Sequence, residues 1–125
     1  MKNVQAVPMP EVSSLVAKLE GGRLVLEGTM ATQNPAADLG PFLKAFHQAI
    51  VRDRLPEMVV DVTKLTFVNS SAIRLFVDWT TWIRKEETSP YRLAFVTDSA
   101  LTWQKTTFPV LKNLAPSVVF LKPPS

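Results

Sequence analysis

The sequence predicts an α/β sandwich built on a mixed β-sheet, and two observations carry this prediction. Short apolar runs typical of strands alternate with longer segments of helical periodicity through most of the chain. Near the amino terminus, two segments of alternating hydrophobicity flank the pair Gly21-Gly22. The first pattern favours parallel strands joined by helices, and the second favours an antiparallel hairpin. The predicted element order is β-β-α-β-α-β-α-β.

The composition fits one compact domain spanning residues 1–125. Hydrophobic residues make up 46% of the chain and charged residues 20%, which is an ordinary globular balance. Residues 1–10 carry two prolines and are expected to form a loose lead-in, and residues 122–125 a tail. We find no internal repeat, low-complexity segment or linker that would divide the chain.

Charge and cysteine content narrow the classes of function. The net charge is +3 and the 14 Lys and Arg are scattered, which favours a solvated surface over nucleic-acid binding. The absence of cysteine excludes disulfides, thiolate metal sites and a cysteine nucleophile. No signal-peptide pattern opens the sequence and no window of ~20 apolar residues occurs. We therefore expect a cytoplasmic protein without a membrane span.

The amino-terminal half is predicted to hold the hairpin and one helix. The strands alternate through Leu15, Ala17 and Leu19, and then through Leu24, Leu26 and Gly28. A helix follows over residues 35–54, with Asn34 as cap and Pro35 as first residue, or with a later start near Pro41. Its apolar positions are Leu39, Leu43, Phe46, Ile50 and Val51.

The central part is predicted to hold a buried strand, a loop and a second helix. Residues 58–62 are apolar and β-branched, as in a central parallel strand, and residues 63–69 are expected to form a loop. The second helix spans residues 70–85 and has two apolar faces. These faces are Ile73, Phe76, Val77, Thr80 and Ile83 on one side, and Leu75, Trp79 and Trp82 on the other.

The carboxyl-terminal part is predicted to add two strands and a third helix. The strands are residues 91–96 and 117–121, and the helix runs from a cap at Asp98 or Ser99 to about Leu111. Pro109 is expected to weaken the end of this helix. Its inward residues are predicted to be Leu101, Phe108 and Leu111, and Trp103 is interpreted as a packing residue.

The stretch FVNSSAIRLF, residues 67–76, raises the question of a catalytic serine. A serine nucleophile needs a general base, and the single histidine, His47, lies mid-helix and is expected to be a surface or boundary residue. Neither G-x-S-x-G nor S-x-x-K occurs, glycine is scarce, and Asp and Glu are not grouped as metal ligands. We therefore predict no enzyme activity, no cofactor and no metal site.

Two interpretations of this stretch remain on residue chemistry. Asn69 or Ser70 can cap the second helix, in which case no function follows. Alternatively, an exposed serine at a helix amino terminus is a favourable place for phosphate, because the helix dipole stabilises the added charge of ~1.5 to 2 units.

The segment MVVDVTKLTFVNSSAIRLFVDW, residues 58–79, resembles the centre of STAS domains, the family of anti-sigma factor antagonists. In that pattern a strand ending in Asp leads through a loop and an apolar pair to Asp-Ser-Ser/Thr-Gly at a helix start. Asp61, Phe67-Val68 and residues 69–72 match these positions, and RLVLEGTMA, residues 23–31, resembles the strand leading to the family's Gly-Glu-Leu-Asp. The resemblance implies a STAS-like sandwich with helices mainly on one face of the sheet.

The resemblance also implies a function and a site. It implies binding to an anti-sigma factor that is also a serine kinase, with Ser71 as the phosphoacceptor and Ser70 beside it as cap. Nucleic-acid binding is not implied, and a homodimer remains an open alternative. The implied partner-binding residues are Thr66, Phe67, Val68, Asn69, Ser70, Ala72 and Ile73, with Thr29, Met30 and Ala31 alongside.

Three positions depart from the family pattern, and other functions stay open. Asn69, Ala72 and Ala31 stand where the family has Asp, Gly and Asp, so two acidic groups near the acceptor are missing. Alternatives are a STAS subunit of a lipid-transport ABC system or signalling complex without phosphorylation, and a nucleotide- or lipid-sensing domain. Trp79 and Trp82 fit either a partner surface or packing against neighbouring helices.

Overall fold

The computed structural model describes residues 15–20, 22–30, 37, 39–86, 90–98 and 100–122. Within these ranges, five strands and three helices follow in the predicted order. The strands are β1 (Leu15–Glu20), β2 (Arg23–Met30), β3 (Glu57–Val68), β4 (Arg92–Val96) and β5 (Val119–Lys122). The helices are α1 (Gly40–Asp53), α2 (Ser70–Lys85) and α3 (Thr102–Leu114).

The strands form one mixed sheet in the order β1-β2-β3-β4-β5. β1 pairs antiparallel with β2, while the pairs from β2 to β5 are all parallel. Gly22, in the turn of the hairpin, has φ 78°, a backbone conformation that glycine adopts without steric cost. Gly21 lies outside the described residues. The mixed α/β fold predicted from the sequence is therefore confirmed.

The helices pack on one face of the sheet and enclose the core there. Each parallel connection moves one strand further in the same direction, and right-handed crossovers then place all three helices on the same side. Burial alternates along β3 as this requires, with Met58, Val60 and Val62 buried and Val59 and Asp61 between them half-buried. Phe46, Phe76 and other large side chains from the helices fill this layer.

The helix predicted over residues 35–54 is described from Gly40 onward. α1 begins at Gly40 with Pro41 in its first turn, and Arg54 ends it in the left-handed conformation, with φ 56°. Proline suits the first helical turn, because the amide hydrogen that it lacks has no partner there in any case. The alternative cap and start, Asn34 and Pro35, lie outside the described residues.

Two predicted boundaries were wrong. Residues 63–68 are not a loop, because β3 continues to Val68 by pairing with the last residues of β2, with register irregularities on the way. α3 does not end near Leu111 but continues past Pro109 to Leu114, and no side chain caps its start at Leu101. The carbonyl that Pro109 leaves without an intrahelical donor belongs to Lys105, an exposed residue. The buried Phe108 and Leu111 anchor the helix on either side of the proline.

Candidate functional site

The ends of β2 and β3 bring the two predicted halves of the site together. Thr29 lies opposite Phe67 and Met30 opposite Val68 in the parallel register. The Thr66 hydroxyl donates to the Gly28 carbonyl at 3.0 Å. The site therefore forms at the carboxyl edge of the sheet, as expected for a parallel arrangement.

Asn69 alone caps α2. Its backbone is extended, with φ −84° and ψ 170°, and its side-chain oxygen accepts from the Ala72 amide at 2.8 Å. Its own amide donates to the Met30 carbonyl at 3.0 Å, which ties the helix start to β2. The prediction that Ser70 serves as the cap was wrong, because Ser70 is already the first helical residue. Neither serine hydroxyl is therefore needed to hold the helix.

The accessible part of the site is smaller than the residue set implied by the family resemblance. Ser70, Ser71 and Thr66 are exposed, and Phe67 keeps 48% of its surface exposed although it is large and apolar. Thr29, Asn69 and Ile73 are half-buried. These seven residues are called the carboxyl-edge surface below.

Three side chains of the predicted set do not reach this surface. Met30, Val68 and Ala72 are 2%, 4% and 0% exposed and belong to the core. The prediction of direct partner contact is corrected for these three residues, because a rigidly docked partner cannot reach side chains that are buried in the core. They hold the strand ends and the helix start in place instead. Ala31 lies outside the described residues.

Two basic side chains, Arg74 and Lys64, border this surface. Neither of them was identified in the sequence analysis. Arg74 is exposed, lies three residues after Ser71 and four after Ser70 on α2, and pairs with Asp78 at 3.8 Å. Lys64 precedes Thr66 on β3 and lies 4.0 Å from Glu27. The spacing of Arg74 was the available signal, because residues three and four apart are neighbours on a helix.

Side chains at the start of α3 donate hydrogen bonds to β3 just before the carboxyl-edge surface. β3 pairs with β4 only as far as Asp61, so the next carbonyls need other donors. Gln104 is buried and donates from Nε2 to the Val62 and Leu65 carbonyls at 2.5 and 3.2 Å. Trp103 adds a bond from Nε1 to the Leu65 carbonyl at 2.9 Å. These donors replace the backbone hydrogen bonds that β4 no longer supplies beyond Asp61, and they fix the path of the chain towards Phe67.

His47 is buried, at 5% exposure, and the prediction of a surface or boundary residue was wrong. Its Nδ1 lies 2.8 Å from the Tyr91 hydroxyl, which also accepts from Trp79 Nε1 at 2.7 Å. An indole N–H only donates, so the hydroxyl oxygen accepts from Trp79, while the direction of its bond with Nδ1 depends on the imidazole tautomer. Burial, reinforced by the charge of Lys44, lowers the pKa of His47 below its usual value of 6.5, and Glu86 opposes this.

These contacts make His47 part of the packing between α1, α2 and the start of β4. Trp79 is completely buried, and Trp82 is half-buried with Lys44 Nζ 4.6 Å above its ring, so both tryptophans pack within the protein. Burial also raises the pKa of Tyr91 well above its ordinary value, which keeps the hydroxyl protonated and able to donate.

No cluster of three His, Asp or Glu side chains suited to a metal ion occurs among the described residues. In the same part of the chain, no helix is long and apolar enough to cross a membrane.

Asp61, which matches the first Asp of the family pattern, lies mid-strand and accepts from the Thr63 amide at 2.9 Å and the Thr63 hydroxyl at 2.7 Å.

Comparison with known proteins gave one structural similarity. No family model matches the sequence, and no curated protein matches it either. The chain is similar in structure to a crystal structure of an anti-sigma factor antagonist from Mycobacterium paratuberculosis, with 16% sequence identity and a TM-score of 0.48. The similarity covers 85% of this chain and 83% of that one.

Proposed function

We propose that this protein is a regulatory binding protein of the anti-sigma factor antagonist type. It engages an anti-sigma factor with serine kinase activity through the carboxyl-edge surface, and phosphate on Ser71 controls the complex. The observation that carries the proposal is the exposed Phe67 beside two exposed serines at the amino terminus of a 16-residue helix. The sequence resemblance around residues 58–79 points to the same segment.

Phe67 supplies the apolar anchor of the proposed interface. About half of its side chain is exposed in the free protein, and a docked partner would remove that area from water. Burying a full phenylalanine contributes about 1.5–3 kcal/mol, so the remaining half contributes about 1 kcal/mol. Exposed aromatic side chains are frequent among the few residues that dominate binding energy.

Phosphorylation of Ser71 is the proposed control of partner binding. Because Asn69 alone caps the helix, phosphate on Ser71 adds charge without removing the cap. The dipole of α2 favours this charge, and Arg74 stands one turn further along to pair with it. The same charge lies within a few residues of Phe67, so a partner that buries the phenylalanine would also have to desolvate the phosphate.

The proposal is tested by calorimetric titration with a kinase-type anti-sigma factor taken from the same genome. Phe67→Ala and Ser71→Asp should each weaken binding by about 1 kcal/mol or more, roughly fivefold or more, through lost apolar contact and a desolvated charge. The matched controls are Val110→Ala, an exposed apolar residue on α3, and Ser117→Asp, an exposed serine at the opposite edge of the sheet. Both controls should stay within about twofold of the unaltered protein.

The two parts of the proposal fail separately. Unchanged affinity of Phe67→Ala and Ser71→Asp would exclude this surface as the interface. For phosphorylation, incubation with the kinase and ATP should add one phosphate to the protein and to Ser70→Ala, and none to Ser71→Ala. A phosphate that persists in Ser71→Ala and disappears in Ser70→Ala would move the acceptor to the first serine.

A further inference from the structure

A cavity opens at the edge of the sheet opposite the carboxyl-edge surface. It lies where β3, β4 and β5 begin, has a volume of about 440 Å³, and falls within the roughly 300–1,000 Å³ of ligand pockets. Its apolar walls come from Pro56, Ile83, Pro90 and Val118. Arg92 and Ser117 are the polar residues beside these walls.

Two backbone amides beside the cavity are already hydrogen-bonded. The Arg92 amide donates to the Pro56 carbonyl at 3.1 Å, and the Leu93 amide donates to the Val118 carbonyl at 2.8 Å. The Tyr91 hydroxyl is engaged with His47 and Trp79. A ligand therefore finds its polar partners in side chains, and Arg92 is the charged one among the lining residues.

Two cations lie against Phe120, on the strand that follows the lining residues Ser117 and Val118. The Arg92 guanidinium lies 5.5 Å from the centre of the Phe120 ring, and Lys112 Nζ lies 5.0 Å from the same centre. Lys112 also donates to the Val119 carbonyl at 3.4 Å. Within the described residues neither cation forms an ion pair, since the nearby Glu57 pairs with Lys122 at 3.4 Å. The charge of Arg92 therefore lies beside an apolar groove and, among the described residues, is not used in an ion pair.

We propose that this cavity binds a small ligand with an apolar body and a carboxylate. The apolar body fills the groove between the two prolines, Ile83 and Val118, and the carboxylate pairs with Arg92, with Lys112 contributing at longer range. A guanidinium suits this role because its planar donors match the two carboxylate oxygens. The site is separate from the carboxyl-edge surface and does not depend on the function proposed for it.

The test uses naphthoate as the probe and naphthamide, its neutral counterpart, as the matched ligand. Amide chemical-shift titrations of the full chain should show saturable changes around Val118 and Arg92, with naphthoate binding about fivefold tighter than naphthamide. Arg92→Gln should remove that preference and leave naphthamide binding unchanged. Lys64→Gln, at the far end of β3, should change neither affinity.

A second variant tests the groove itself. Ser117→Trp places a large side chain at an exposed lining residue, and it should abolish binding of both probes while the remaining amide spectrum stays folded. The proposal is overturned if naphthoate produces no saturable change at these residues. Equal affinity for acid and amide, or an unaltered preference in Arg92→Gln, overturns it as well.

Discussion

Helix capping and exposure of the serine hydroxyls belong to different residues of one short segment, residues 69–71. Asn69 takes the capping position itself, and this leaves the hydroxyls of Ser70 and Ser71 exposed. An Asp at this position could accept the same hydrogen bond and would add a charge that the helix dipole favours, whereas Asn69 accepts the bond without a charge. The choice between Asn69 and Ser70 as cap was not predictable from residue type, because both are good caps and their places differ by one residue.

His47 is expected to make the stability of the protein depend on pH. In the folded state burial lowers the pKa of His47 below 6.5, while the unfolded chain binds a proton near that value. The unfolded state therefore holds more protons as the pH falls below 6.5, and folding stability decreases in that direction. Urea unfolding should give a lower free energy of unfolding at about pH 5.5 than at about pH 7.5.

The control for this prediction is His47→Gln, which retains a side-chain hydrogen-bonding group near Tyr91 and does not titrate. His47 is the only histidine in the chain, so this variant should lose most of the slope in that pH interval whatever its absolute stability. An equal slope in both proteins would contradict the prediction and would mean that another group dominates the linkage.

At the scale of elements, β3 explains why the loop prediction failed. Residues 63–68 contain Lys, two Thr and a large exposed Phe, so they lack the continuous apolar character of the preceding segment. They form a strand because β2 is long enough to pair with them, and because Leu65 and Val68 are buried. Pairing of this kind depends on the partner strand and leaves only a weak trace in the local sequence.

Gln104 is expected to stabilise the junction between α3 and β3. Gln104→Met keeps the size of the side chain but leaves the Val62 carbonyl and the Asp98 amide without their present partners. Losing partners for buried backbone groups costs about 1–3 kcal/mol each, so we expect a destabilisation of about 2–3 kcal/mol. Denaturant unfolding measures this, with Gln48→Met on the exposed face of α1 as the matched control. A loss below about 0.5 kcal/mol would show that water or Trp103 replaces these bonds.

For the whole molecule, the order of elements and the composition of the core were predictable, and the polar interior was not. Hydrophobic periodicity located every strand and helix, and it placed Phe108 and Leu111 in the core. It placed Thr80 on an apolar face of the second helix, but it gave no sign that His47 and Gln104 would be buried, since polar residues are normally assigned to the surface. Their burial depends on partners distant in sequence, such as Tyr91, 44 residues from His47, and Val62, 42 residues from Gln104.

The sheet places the two proposed sites at opposite ends of β3. This strand runs 12 residues from Glu57 beside the cavity to Val68 below the carboxyl-edge surface, a distance of about 35 Å. Direct electrostatic influence is negligible at that range, because the screening length in physiological salt is about 8 Å. Between the sites lies one continuous cluster of buried apolar side chains, and coupling through it would require two discrete arrangements of that packing.

We therefore expect the two sites to act independently. Ser71→Asp should leave the affinity for naphthoate within about twofold of the unaltered protein, which the same chemical-shift titration measures. Arg92→Gln should likewise leave the affinity for the kinase-type partner unchanged. A change of more than about fivefold in naphthoate affinity on Ser71→Asp would require two states of the sheet that differ at both edges. The carboxyl-edge surface would then report on the ligand, and β3 would be the element that connects them.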